Sequence, residues 1–169
     1  GGRPVYDLLP AGMEAMRYVG RLDRDTEGLL LLTNEGDVLH RLTHPSYEVE
    51  REYRAHVGGD VTPAILRHLT TGVELEDGPA RAIRAWQSSG AGPRELRLVL
   101  AEGSNREVRR MLAAVGLPVR RLIRDRYGPL RLGSLGAGSW RELTEEEIHK
   151  LRRTVAPSTG KPGRESKWS

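Results

Sequence analysis

The stretch that most constrains the fold runs from Gly20 to Thr33. It begins as a charged loop bounded by two glycines, Gly20 and Gly28, and continues into four consecutive leucines, Leu29–Leu32. A short apolar run flanked by turn residues is typical of a strand that is buried on both faces. This strand would hold the charged loop against a buried element. A carboxylate that is removed from water requires a partner, so charged residues kept at this place suggest a functional role.

Within the loop, Arg21 and Asp23 flank the apolar Leu22. In an extended backbone, Arg21 and Asp23 point to one side and Leu22 to the other. The sequence therefore predicts an acid that is anchored by apolar packing and stands beside an arginine. An acid next to a cation stays ionised, and an ionised aspartate is able to act as a nucleophile or as a base.

Composition limits the class of protein. The chain has 169 residues, of which 37% are hydrophobic, and it contains neither Cys nor Phe. This length predicts one domain, with a core of Leu, Val and Ile. The lack of cysteine excludes disulfides, zinc–thiolate sites and cysteine nucleophiles. No apolar run is long enough to span a bilayer and no signal-peptide pattern opens the chain, so we expect a cytoplasmic protein.

Positive charge is concentrated late in the chain. The net charge is +4, and residues 106–126 contain seven arginines against Glu107 and Asp125. Arginine presents a planar fork that matches phosphate, so this cluster favours a polyanionic partner such as nucleic acid. A solvated charged face is the alternative that charge alone leaves open.

Periodicity and turn residues predict interleaved strands and helices. The predicted helices occupy residues 37–42, 62–70, 106–115 and 144–154, and the predicted strands 29–32, 49–57, 73–75, 80–87, 94–100 and 119–127. Hairpin-like turns favour an α+β fold with a mixed, largely antiparallel sheet and helices packed on it. Residues 155–169 are rich in Pro, Gly, Ser and Lys, and we interpret them as a disordered basic tail after a domain of residues 1–154.

Several side chains outside the loop are candidates for RNA recognition. Tyr53 shares a predicted strand face with Arg51 and offers a ring for stacking a nucleobase, although a strand tyrosine is also a common core residue. Arg106, Arg109 and Arg110 open a predicted helix. One of them could reach a buried acid while the others bind phosphate. The alternative to this functional role is that all three lie on a solvated helix face.

Asp23 and Asp25 together allow a different interpretation, a carboxylate pair that holds a divalent metal for phosphoryl transfer. Arg21 and Arg24 already supply counter-charge, however, and the sequence places no third acidic ligand nearby. A structural salt bridge within the loop is the stronger alternative to this metal site.

The sequence resembles the RsuA/RluB/RluE/RluF family of ribosomal RNA pseudouridine synthases. The resemblance covers about residues 2–124 and is carried by segments in the family's order: Gly2–Pro10, Gly20–Gly36, His44–Ser46, Glu50–Tyr53, Gly72–Pro79, Glu102–Met111 and Arg121–Arg124. Two of them, Glu50–Tyr53 and Gly72–Pro79, are most similar to the RluB-like branch, which acts on large-subunit (23S) ribosomal RNA.

The resemblance implies a pseudouridine synthase fold with an active-site cleft between two lobes. It also implies an isomerase that converts uridine in ribosomal RNA to pseudouridine without a cofactor or a metal. Asp23 matches the catalytic aspartate, Tyr53 the tyrosine that stacks on the target uracil, and Arg109 the basic residue that pairs with the aspartate. Arg21 is expected to help to hold the flipped nucleotide. Further arginines are expected to bind RNA: Arg51, Arg106, Arg110, Arg121 and Arg124.

Two departures from the family pattern bear on the expected partner. The family usually begins with a small S4 RNA-binding domain and a strand that carries Lys-Pro-x-Gly, and neither is found in this sequence. We therefore expect a catalytic domain alone, a monomer that binds ribosomal RNA or a pre-ribosomal particle more weakly than a longer protein would. In addition, Arg51 stands where lysine is common.

Two alternatives from other classes remain open at this point. One is a non-catalytic module for ribosomal RNA binding or ribosome assembly, and the other is a metal-dependent phosphotransferase that uses Asp23 and Asp25.

Overall fold

The computed structural model describes residues 5–104 and 106–156. The strands in these residues are β1 (Arg17–Val19), β2 (Thr26–Gly28), β3 (Leu31–Thr33), β4 (Arg51–Val57), β5 (Val73–Leu75), β6 (Gly78–Ala80), β7 (Arg84–Trp86), β8 (Glu95–Leu100), β9 (Val119–Tyr127) and β10 (Leu130–Arg131). The α-helices are α1 (Gly36–Thr43), α2 (Pro63–Thr71), α3 (Glu107–Ala114) and α4 (Glu145–Thr154). No helix among the described residues has the length and apolar character needed to cross a membrane.

The main sheet has the strand order β10-β9-β4-β8-β7, and its neighbours along this order are antiparallel. The one departure is β2, which pairs in parallel with β9 along residues Leu122 to Arg124. This pairing uses the edge of β9 that β4 leaves open. The predicted α+β fold with a mixed, largely antiparallel sheet is therefore confirmed.

Two hydrophobic clusters hold the chain together. The first contains residues of the main sheet together with α2 and α3, with Leu69, Leu96, Leu98, Met111 and Leu112 among its fully buried members. The second contains residues of β1, β3, α1, α4 and the end of β9, with Val19, Leu42 and Tyr127 at its centre. Since β9 contributes Leu122 to the first cluster and Tyr127 to the second, this strand connects the two.

The predicted helix ends agree with the structure where capping residues mark them. Thr62 caps α2 by accepting from the Ile65 amide, and Gly72 follows its last residue with a positive φ of 136°. Thr144 and Glu147 form the expected capping box of α4. Such caps satisfy the free amides of a first turn locally, and for that reason the sequence reveals them.

The leucine run is buried on one face and not on both. Leu29 and Leu31 are buried, whereas Leu30 and Leu32 are half-buried. The reason is that β3 pairs only with β1 in a two-stranded sheet, and α1 packs against this small sheet.

Three other sequence expectations differ from the structure. The predicted strand 80–87 is split into β6 and β7, because the Ala82 amide turns away to bond the Leu69 carbonyl at the end of α2. The sequence predicts Asp37 as the cap of the first helix, whereas Asp37 lies in the first turn of α1 and Glu35 is the N-cap residue. Val155, assigned to the tail, is 2% exposed and packs in the second cluster. Residues 157–169 of the predicted tail lie outside the described residues.

Gly28 allows β2 to approach β9. It has a φ of 108°, and a Cβ atom there would lie 2.3 Å from the Arg124 carbonyl oxygen and 2.7 Å from the Arg124 nitrogen. Backbone atoms of a central strand cannot move aside at low cost. The parallel pairing of β2 with β9 therefore requires glycine at this position.

Gly28→Ala is expected to lower the free energy of unfolding by roughly 2–4 kcal/mol, since it combines an unfavourable φ with a backbone clash. Urea unfolding measures the change. Gly92→Ala is the control, because a Cβ atom at Gly92 meets nothing within 4 Å and its φ is not positive. Equal stability of the two variants would contradict the requirement for close approach.

Candidate active site

Asp23 lies in a tight turn that immediately precedes β2. The Thr26 amide donates to the Asp23 carbonyl oxygen at 2.9 Å, and Gly20 enters the turn with a left-handed φ of 70°. Because Thr26 starts the pairing with β9, the turn is held at the edge of the main sheet. Arg21, Leu22 and Asp23 all line the same cavity.

A cavity of about 710 Å³ opens beside this turn. It lies where the two clusters meet, since Val108 of the first and Tyr127 of the second both line it. This volume is in the range of small-molecule sites. Seven of the site residues predicted from the sequence line the cavity: Arg21, Asp23, Arg51, Tyr53, Arg106, Arg109 and Arg124.

The turn carries two carboxylates in different situations. Asp25 accepts hydrogen bonds from Arg106 Nη1 at 2.8 Å and from Arg106 Nη2 at 2.9 Å, and Arg109 Nη1 lies 3.5 Å from it. The half-buried Asp23 carboxylate is reached by no salt bridge and no side-chain hydrogen bond within residues 5–104 and 106–156. Asp23 is therefore available to a ligand, and Asp25 is not.

The hydrogen bonds from Arg106 lower the pKa of the Asp25 carboxyl to about 2. Arg109 Nη2 also donates to the Asp25 backbone oxygen at 2.6 Å. With two guanidinium groups on Asp25, its geometry does not support a metal shared between Asp23 and Asp25. The described part of the chain contains no group of three or more His, Asp or Glu that could hold a metal ion.

Two buried arginines enclose a tyrosine at the base of the cavity. The guanidinium carbons of Arg51 and Arg124 lie 5.0 and 5.1 Å from the ring centroid of Tyr127. Arg51 is 8% exposed and donates to the Val49 and Ala101 carbonyls and to the Tyr127 hydroxyl. Arg124 is 3% exposed. These contacts make both arginines part of the folded wall of the cavity, and their assignment to RNA stays a prediction.

Tyr53 and Arg21 differ from these arginines because their side chains are not buried and both line the cavity. Tyr53 is half-buried on β4 and takes part in no aromatic stacking within the described residues. Arg21 is exposed at the cavity. A flat ring, a cation and a free carboxylate thus converge on one space.

Comparison with known proteins identifies the family. The family model described as RNA pseudouridylate synthase matches residues 6–114. The chain belongs to the RNA pseudouridylate synthase family. Within that family, it is 49% identical over 159 residues to ribosomal large subunit pseudouridine synthase B of Escherichia coli, which covers 91% of this chain and 54% of that protein.

Further relatives agree with this membership. An uncharacterized RNA pseudouridine synthase of Mycobacterium tuberculosis is 46% identical over 159 residues, which covers 91% of this chain and 63% of that protein. A crystal structure of a pseudouridylate synthase superposes with a TM-score of 0.81 at 32% identity, over 87% of this chain and 64% of that one. The chain thus spans between about half and two thirds of the length of these pseudouridine synthases.

One pairing expected from the family resemblance is not observed. Arg109 was expected to pair with Asp23, but its guanidinium contacts the carboxylate and the carbonyl of Asp25. Among the described residues, the Arg109 guanidinium has no salt bridge or hydrogen bond to the Asp23 carboxylate.

Two predicted RNA-binding arginines lie away from the cavity lining. Arg110 forms a salt bridge with Asp77 at 2.6 Å. Arg121 binds both carboxylate oxygens of Glu27 at 2.8 and 2.9 Å. Their exposed fractions leave them at the surface, where their assignment to RNA stays a prediction.

Sequence reasoning missed three buried polar residues of the cavity. Tyr127, Glu107 and Thr26 all line it, and each is buried. Thr26 Oγ1, Arg109 Nε and Arg124 Nη2 are buried polar atoms without a hydrogen-bond partner among the described residues. Unpaired buried polar atoms are rare in folded proteins, and their occurrence on three lining residues is typical of a functional site. The sequence does not reveal Tyr127, Glu107 and Thr26 as cavity residues, because their burial depends on the tertiary structure.

Tyr127→Phe removes a hydroxyl that accepts from Arg51 Nη2 at 3.0 Å and donates to the Leu42 carbonyl at 2.9 Å. Two buried partners are left unpaired, so we expect the free energy of unfolding to fall by about 1–3 kcal/mol. Urea denaturation measures it, with the half-buried Tyr47→Phe as control. A neutral effect would mean that the two hydrogen bonds of the hydroxyl do not stabilise the fold.

Glu107 is 7% exposed, and burial raises the pKa of its carboxyl. The folded state therefore favours the protonated form, so stability is greatest below the ordinary pKa of a glutamate and decreases as the pH rises through the raised value. Glu107→Gln should raise Tm at pH 7.5 and lose this advantage near pH 4. The exposed Glu142→Gln serves as the control in the same melts. A gain that is independent of pH would contradict this assignment.

Proposed function

We propose that this chain converts a uridine of ribosomal RNA to pseudouridine and that Asp23 is its catalytic residue. The observation that carries the proposal is the Asp23 carboxylate, which faces the cavity without a partner among the described residues while its neighbour Asp25 is fully paired. A carboxylate free of salt bridges is able to attack carbon or to take a proton.

The chemistry needs little besides such a group. The bond between uracil N1 and ribose C1′ breaks, the base turns, and a new bond forms from C5 to C1′ while the C5 proton leaves and the freed N1 takes up a proton. Atoms and charges balance within the nucleotide, so no oxidant or reductant enters. In the mechanism we propose, Asp23 acts at the sugar or the base, and the Tyr53 ring holds the detached uracil by stacking.

The target nucleotide has to leave its helix to reach the cavity. Unstacking costs a few kcal/mol and is least costly in loops. The exposed Arg21 beside Asp23 is suited to hold the displaced nucleotide by its phosphate. The large-subunit relative in Escherichia coli supports large-subunit ribosomal RNA as the substrate class.

Asp23→Asn tests the proposal on large-subunit ribosomal RNA transcripts that carry tritium at uracil C5. We expect release of tritium to fall on the order of 10²–10⁴-fold, since the carboxylate is lost, while RNA binding is retained. Asp60→Asn is the matched control, because Asp60 pairs with Arg94 outside the cavity.

Activity of Asp23→Asn equal to that of the unchanged chain would overturn the assignment of Asp23. If the unchanged chain instead binds RNA with a steep salt dependence and releases no tritium, the non-catalytic binding module replaces the enzyme as the better explanation.

A further inference from the structure

The loop of Asp23 is tied to α3 by a second acid. Asp25 is bound bidentately by Arg106 and is approached by Arg109. We call these three residues the Asp25 clamp. The Arg106–Asp25 contact joins positions 81 residues apart in the chain, so it connects elements that no local sequence interaction holds together.

The clamp is formed at a conformational cost. Arg106 has a left-handed φ of 52°, and Glu48 is the only other non-glycine residue with a positive φ in the described part of the chain. A non-glycine residue in this region is strained, and such strain persists where surrounding contacts require it and tends to occur at functional sites. Here the bidentate contact with Asp25 is the interaction that Arg106 makes from this position.

The clamp and the catalytic candidate belong to the same turn. The Thr26 amide closes the turn onto the Asp23 carbonyl, while the Asp25 side chain extends to α3 and the Asp23 side chain lines the cavity. Fixing Asp25 therefore fixes the direction of Asp23. The same contacts hold the Arg109 guanidinium, only 14% exposed, at the cavity wall.

A neighbouring pair provides a natural comparison. Arg121 grips Glu27 at 2.8 and 2.9 Å, the same bidentate geometry at a similar exposure. Glu27 and Arg121 join β2 to β9 but do not line the cavity. If the loss of any surface ion pair had the same effect, breaking either pair would change the protein in the same way. An effect on catalysis should appear only when the Asp25 clamp is broken.

We propose that Asp25 is a positioning residue for the reaction proposed above: by binding Arg106 and Arg109, which line the cavity, it sets the orientation in which Asp23 meets the substrate. The inference rests on the proposed function. It assigns Asp25 no contact with the reacting atoms.

Steady-state kinetics of tritium release test the inference with Asp25→Asn, Arg106→Gln, the double variant, and Glu27→Gln as the matched control. Misplacement of a reacting group by about 1 Å costs on the order of 100-fold, so kcat should fall roughly 10- to 100-fold in Asp25→Asn. KM for RNA should not rise, because the change removes a negative charge. Glu27→Gln should leave kcat unchanged.

The double variant measures whether the clamp acts as a unit. Its kcat should be no lower than that of the more affected single variant, because each single change already breaks the same contact. An unchanged kcat in Asp25→Asn with an active unchanged chain overturns the positioning role and leaves the proposed function intact. Losses that multiply in the double variant also overturn it.

Amide hydrogen exchange supplies a measurement that does not need activity. In Asp25→Asn, the Thr26 amide and the first amides of α3 should exchange faster, while in Glu27→Gln they should not. Unchanged exchange in Asp25→Asn overturns the inference even if the chain proves to be inactive on RNA, and faster exchange supports it in that case too.

Discussion

The structure depends on the contacts of Arg124 in β9. Its backbone pairs with Gly28 and its carbonyl accepts from the Leu29 amide at 2.8 Å. Its side chain then donates to the Leu29 carbonyl at 2.9 Å and to the Arg21 carbonyl at 3.4 Å. One residue thus binds the loop of Asp23 on both sides of β2. An arginine can be buried in this way because its hydrogen bonds and the Tyr127 ring replace much of its hydration.

Internal contacts of the arginines also change how the positive charge of residues 106–126 is interpreted. The arginine-rich segment suggests an RNA-binding surface, yet Arg124 is buried, Arg106 and Arg109 are engaged by Asp25, and Arg121 is engaged by Glu27. Several of these cations therefore organise carboxylates of the protein itself. For the RNA binding that we propose, the number of arginines therefore matters less than which of them lack an internal partner, and Arg21 is exposed at the cavity.

The sequence was informative where an interaction is local. Thr144 with Glu147, Thr62 with Pro63, and the alternation of Leu96, Leu98 and Leu100 each act within a few residues, and the structure agrees with them. The family motif led directly to Asp23 and Tyr53. The burial of Tyr127 and Glu107 depends on contacts between distant parts of the chain. The same is true of the contact that Arg109 makes with Asp25 instead of Asp23. No pattern of spacing contains that information.

The two aspartates of the turn show how a fold can assign different tasks to identical side chains. Asp25 is ionised and neutralised by its arginines, so it contributes little reactivity and much rigidity. Asp23 has no salt bridge and no side-chain hydrogen bond among the described residues, although the Arg106 cation lies close enough to act on its charge. If Arg109 were bound to Asp23 in the free protein, a nucleotide would first have to displace it, at the cost of breaking a charge-assisted contact. In the reaction that we propose, holding the arginine on Asp25 keeps a cation close to Asp23 and leaves the Asp23 carboxylate without a salt bridge.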